Sequence, residues 1–162
     1  MEIKPQRIVW HHSADVSSGY QLQKINTYHK QRQFPISSLG YYVGYHYLIE
    51  FDGTVIQTRK DTEIGAHDTG ENLNSIGICL AGDFTKKLPT TEQEIAAAKL
   101  IKDIRERWRI PVTRIEPHRW DDDTKCPGDL LPDNWLINVY LKREGNIFLT
   151  YFQKVGELYN LL

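Results

Sequence analysis

The sequence predicts an α/β fold: one domain with a central mixed β-sheet flanked by α-helices, and an extra helical segment at the C-terminal end. Three observations predict it. Short apolar runs alternate with segments of helical period, the pattern of layered α/β domains. The alternation lacks strict βαβ regularity, because residues 45–58 read as a hairpin around Asp52-Gly53, which makes the sheet mixed. The 162 residues, 40% hydrophobic and 25% charged, suit a single core of ordinary composition.

Taken in order, Ile8-Val9-Trp10 reads as a short buried strand that delivers His11 and His12 at its end. Neighbours on a strand point to opposite sides, so at most one of the two histidines serves a common site directly. Ser17-Ser18-Gly19 then punctuates the chain, with Ser18 as the expected cap of a helix over 20–33. Leu22, Ile25, His29 and Arg32 share one side of that helix, which gives His29 a structural role. Pro35, Ser37, Ser38 and Gly40 mark a loop. In the hairpin, alternation puts Tyr45, Tyr47 and Ile49 on one face and His46, Leu48 and Glu50 on the other. The polar connection 61–74 suits the rim of a site.

Residues 75–81 form another strand, with Ile76, Ile78 and Leu80 facing one way and Cys79 behaving as a small buried hydrophobe. The best helix covers 92–109: Thr91 and Glu94 read as a capping box, and Pro111 stops it. Ile95, Ala98, Ile101, Ile104 and Trp108 make its buried stripe. One more short strand over 112–116 ends just before His118. Asp133 reads as the cap of a helix over 134–143, and apolar residues at helical spacing continue through 147–162.

The formal net charge is -1 and no dense basic run occurs, so there is no electrostatic footprint for nucleic acid. No stretch approaches the roughly 20 apolar residues of a membrane span. Residues 1–6 carry charges and Pro5 where a signal peptide has an apolar core, so synthesis in the cytoplasm is expected. Two cysteines, Cys79 and Cys126, are too few for a disulfide framework.

The chemistry concentrates at predicted strand ends, where α/β folds gather ligands. His11 arrives from the first strand. His118 and Cys126, eight residues apart, are too distant for one helical face but natural for a loop that folds back. Two imidazoles and a thiolate are a ligand set for a catalytic zinc with an open fourth position. Neither a Cys-x-x-Cys pair nor a His-Glu-x-x-His helix is present. A second reading makes Cys126 a nucleophile at the start of a helix opened by Pro127, with His118 as its base. It leaves His11 unexplained, whereas zinc uses all three residues. Asp121-Asp122-Asp123 reads as a solvated loop run.

Several pieces, in order, resemble the zinc-dependent N-acetylmuramoyl-L-alanine amidases of the type-2 amidase and peptidoglycan-recognition-protein superfamily, and look closest to its phage-lysozyme-like branch. They are Ile8-Val9-Trp10-His11-His12-Ser13-Ala14, Gly44-Tyr45-His46-Tyr47-Leu48-Ile49, Asp52-Gly53-Thr54, Gly65-Ala66-His67, 74–82, and His118 through Cys126-Pro127. Together they span roughly three-quarters of the chain. The resemblance implies a zinc ion on His11, His118 and Cys126, Tyr45 as the catalytic tyrosine, and His67 on the substrate groove. Thr124 stands two before the cysteine, where members of the family carry lysine or threonine; Lys125 is out of register. The recycling-enzyme branch fits less well, since it uses an aspartate as third ligand and a glutamate where this chain has Cys79. A catalytic domain over 1–132 is expected; 133–162 lies largely outside the resemblance, and its apolar spacing makes it a helical extension packed on the same domain. The implied partner is peptidoglycan or a muropeptide, met at the wall after release or in the cytoplasm, and a monomer is expected.

Overall fold

The computed structural model describes residues 2–145. Five strands form one sheet: β1 (Arg7–His12), β2 (Tyr47–Ile49), β3 (Val55–Gln57), β4 (Ser75–Leu80) and β5 (Ile115–Pro117), in the order β3-β2-β4-β1-β5. β1 lies between β4 and β5, parallel to both, with His11 opposite Cys79 and Trp10 opposite Pro117. β2 is parallel to β4 and antiparallel to β3 across the Asp52-Gly53 turn, so the sheet is mixed. The helices are α1 (Leu22–Gln31), α2 (Thr91–Trp108) and α3, helical over 135–145. The expected helical tail over 147–162 lies outside the described residues.

Side-chain alternation gives the sheet two unlike faces. Ile8 and Trp10 of β1, Ile76, Ile78 and Leu80 of β4, and Tyr47 and Ile49 of β2 meet Ala97, Leu100, Ile101 and Ile104 of α2 and Leu136 and Tyr140 of α3. Trp10 and Trp135 pack with ring centroids 5.5 Å apart. On the other face, Leu48 and Cys79 pack with Ile25 of α1 and Val43, Val9 is buried on β1, and Arg7, His11 and Ser75 supply buried polar side chains. His12 points to the first face, where its Nδ1 accepts from the Phe84 N–H; His11 points to the second.

Several local expectations are corrected. α2 starts one residue earlier than predicted: Thr90 is its cap, and Thr90 and Gln93 form the reciprocal capping box. The stripe rotates accordingly, burying Gln93, Ala97 and Leu100 and leaving Ile95 49% exposed. Ser18 does not cap α1. The buried carboxylate of Glu50 accepts from the N–H groups of Gln21 and Leu22 instead, a cap delivered from the end of β2. The expected 112–116 strand divides into a 3-10 turn, Val112–Arg114, and β5. Asp133 accepts from Trp120 Nε1 and pairs with Arg119. Tyr45 does not share a face with Tyr47 and Ile49. β2 begins only at Tyr47, and Tyr45 packs on the Leu48–Cys79 side. The backbone is displaced there because Gly44 lies against the Ala66 carbonyl so closely that a Cβ would stand 2.1 Å from its oxygen.

Candidate metal centre

The C-terminal ends of β1 and β5 lie side by side, so His11 and His118 emerge as neighbours. Their ring centroids are 4.4 Å apart. After β5 the chain makes a 3-10 turn, His118–Trp120, and loops back to place Cys126 Sγ 3.7 Å from His11 Nδ1. One ligand atom from each of His11, His118 and Cys126 lies within 4.8 Å of the others, close enough for one ion to touch all three. The loop itself is braced by Thr124, whose Oγ1 accepts from the Cys126 N–H at 3.2 Å. Lys125 points away, with its side chain 81% exposed.

The ring nitrogens are apportioned in a way that suits a metal. His118 Nε2 is 3.0 Å from the Asp122 carboxylate, while its Nδ1 is buried with no hydrogen-bond partner among the described residues. A buried ring nitrogen without a partner is costly unless something else takes its lone pair. His11 Nε2 is 3.1 Å from His67 Nδ1, which leaves His11 Nδ1 facing Cys126. Burial, followed by the neighbouring His67 and His118, holds His11 well below the ordinary imidazole range, so it is neutral and able to coordinate. Burial pushes the Cys126 thiol up to about 12. No helix begins at Pro127 to lower it, contrary to the nucleophile reading; a coordinated ion would deprotonate it outright. This donor set of two imidazoles and a thiol fits zinc, which in catalytic sites takes three protein ligands and a fourth from water or substrate.

Tyr45 stands beside His11, ring centroids 5.0 Å apart, on a segment held by His29, whose Nδ1 accepts from the Gly44 N–H. Burial raises the Tyr45 phenol well above its ordinary value, and the nearby Cys79 and Cys126 sulfurs add to this, so it is a neutral donor. His67, expected on the groove, is buried behind His11 instead. The sequence reading missed Asp122 as partner of His118; its spacing of four was the signal, obscured by the acidic run around it. It also missed Arg7, buried on β1, which pairs with Glu116 at 2.6 Å, Glu71 at 3.2 Å and Asp121. That one guanidinium ties the site's rim and its loop to the central strand. Asp68 sits beside this cluster, and burial together with Asp121 raises its carboxyl to about 7.

A mixed sheet with two histidines at the C-terminal ends of neighbouring parallel strands, a cysteine looped back onto them and a tyrosine beside them defines the class of type-2 amidase-like folds. The chain belongs to the family described as N-acetylmuramoyl-L-alanine amidase (Amidase_2), which it matches over residues 1–129. It is 38% identical over 110 residues to peptidoglycan-recognition protein SC2 of Drosophila melanogaster, covering 67% of this chain and 56% of that protein. The chain thus spans little more than half the length of that curated relative. Across 45 residues, 28% of this chain and 30% of the relative, it is 49% identical to the endolysin of Escherichia phage T7. Among solved structures it is similar to the N-acetylmuramoyl-L-alanine amidase LysC from Clostridium intestinale, at 30% identity and a TM-score of 0.73, covering 86% of this chain and 87% of that one. A mutant of Drosophila PGRP-LB in complex with tracheal cytotoxin matches at 27% identity and a TM-score of 0.70, covering 81% and 80%.

Proposed function

We propose that this chain is a zinc-dependent hydrolase that cleaves the amide between the lactyl group of N-acetylmuramic acid and L-alanine in peptidoglycan or muropeptides. One observation carries the reading: the ligand atoms of His11, His118 and Cys126 converge within 4.8 Å beside the neutral Tyr45 phenol. Membership of an amidase family and likeness to the Clostridium amidase support it.

His11 and His118 offer neutral nitrogens, and Cys126 offers its sulfur, from a strand, a turn and a loop respectively. An ion held by these three would supply Lewis-acid chemistry, activating water as the nucleophile and polarising the scissile carbonyl. Tyr45 donates its phenolic hydrogen to the carbonyl oxygen as that oxygen gains charge. The oxygen of Thr124 accepts from the Cys126 amide, which leaves its hydroxyl hydrogen free as a second donor. Asp122 accepts from His118 Nε2 and so leaves the lone pair on the ring's buried Nδ1.

The test is release of new L-alanine amino termini from purified peptidoglycan and from soluble muropeptides, before and after chelation and zinc return. Release that stops with chelator and returns with zinc is expected. Activity that persists without metal overturns the zinc reading and favours Cys126 as nucleophile. Binding without release makes the chain a recognition module.

A further inference from the structure

We infer that His67 is a positioning residue for the metal centre: it accepts a hydrogen bond from His11 Nε2–H and so keeps the His11 Nδ1 lone pair aimed at the ion. The inference rests on the zinc reading of the site.

The direction of each hydrogen bond follows from the far end of a short chain of contacts. Ser75 Oγ lies 2.7 Å from the Glu71 carbonyl oxygen, which can only accept, so the one hydroxyl hydrogen is used there. At 3.5 Å from His67 Nε2, the serine oxygen is then left to accept, and that nitrogen is the protonated one. Neither atom that the His67 nitrogens meet, Ser75 Oγ or His11 Nε2, is an anion that would hold an imidazolium, so the ring carries one hydrogen and its Nδ1 carries a lone pair. That lone pair faces His11 Nε2 at 3.1 Å, so His11 must supply the hydrogen. A neutral imidazole protonated at Nε2 is bare at Nδ1, the atom 3.7 Å from Cys126 Sγ. Three residues, Glu71, Ser75 and His67, therefore select the tautomer of His11.

The slot that holds His67 is built for a flat ring. A Cβ added at Gly65 or at Gly77 would each come within 2.5 Å of His67 Cδ2, so the imidazole is clamped between two glycines. His46 closes the edge, 5.5 Å away between centroids. These contacts leave His67 8% exposed and fix the ring plane, as an orienting partner requires.

Two-bond nitrogen–proton NMR of the metal-free wild-type protein reads each ring's tautomer. Nε2–H with a bare Nδ1 is expected for both His11 and His67; the opposite tautomer at His11 overturns the inference whether or not the protein binds metal. His67→Phe keeps a flat ring in the slot and removes the acceptor. Its zinc affinity, measured by competition with a chromogenic chelator, is expected to fall about 10- to 100-fold. The visible bands of its cobalt-loaded form are expected to shift as His11 reorients. His67→Asn, whose Oδ1 takes the place of Nδ1, is expected to recover most of the affinity. A folded His67→Phe protein with wild-type affinity and an unchanged cobalt spectrum overturns the inference. Should the wild type bind neither zinc nor cobalt, the metal reading itself fails, and the tautomer measurement still decides the role of His67.

Discussion

The two faces of the sheet are made by the same strands and are opposites. On the α2–α3 face, Ile8, Trp10, Ile76, Ile78 and Leu80 are fully buried among aliphatic and aromatic neighbours. On the other face, one residue out of step, Arg7, His11 and Ser75 carry a charge, a candidate ligand and a hydroxyl, and Gly77 makes way for the His67 ring. A period of two lets a strand devote alternate residues to stability and to chemistry without either intruding on the other. The price is that a one-residue slip would exchange them.

Substitutions on the two faces are therefore expected to separate cleanly. The largest effect is expected at Cys126: Cys126→Ser abolishes turnover and zinc content together, read by amino-terminus release and elemental analysis. Retained zinc with lost turnover would instead point to the thiol as nucleophile. Tyr45→Phe is expected to cut turnover about 10²- to 10³-fold, the size of one lost oxyanion donor, with zinc unchanged. Loss of zinc there would blur the distinction between donor and ligand. On the opposite face, Ile78→Ala is expected to lower unfolding free energy by about 2–5 kcal/mol in urea melts while zinc affinity holds. Smallest is Thr90→Ala at the α2 cap, at about 1 kcal/mol, with turnover unaltered. An Ile78 variant that folds but fails to hold zinc would show the faces to be coupled.

Most of the fold was legible because it rests on periodicity. The buried runs at Ile8-Val9-Trp10 and 75–81 and the Asp52-Gly53 turn announce strands and a hairpin, and the structure has them. The errors fall where a tertiary contact outweighs a local preference. Ser18 is a reasonable cap by propensity, but Glu50 arrives from another element with two oxygens. Tyr45 alternates correctly only if its strand extends that far, and the close approach of Gly44 to Ala66 ends it. In the centre, the chemistry of His11, His118 and Cys126 marked a candidate ligand set, which the structure brings together, and the family resemblance pointed to Tyr45, which stands beside it. Asp122, Arg7 and the true neighbour of His67 were not. Their roles depend on which loop meets which strand, and an acidic run or a lone arginine carries no sign of that in sequence.

The parallel placement of β1 between β4 and β5 has one more consequence. It brings together side chains 115 residues apart, His11 and Cys126. An ion bridging them would act on the unfolded chain as a covalent cross-link does, by forbidding its most extended states. For a loop of that length the effect is of order 4–5 kcal/mol by the chain-entropy account. A metal acquired for hydrolysis would then also serve as the clasp of the fold.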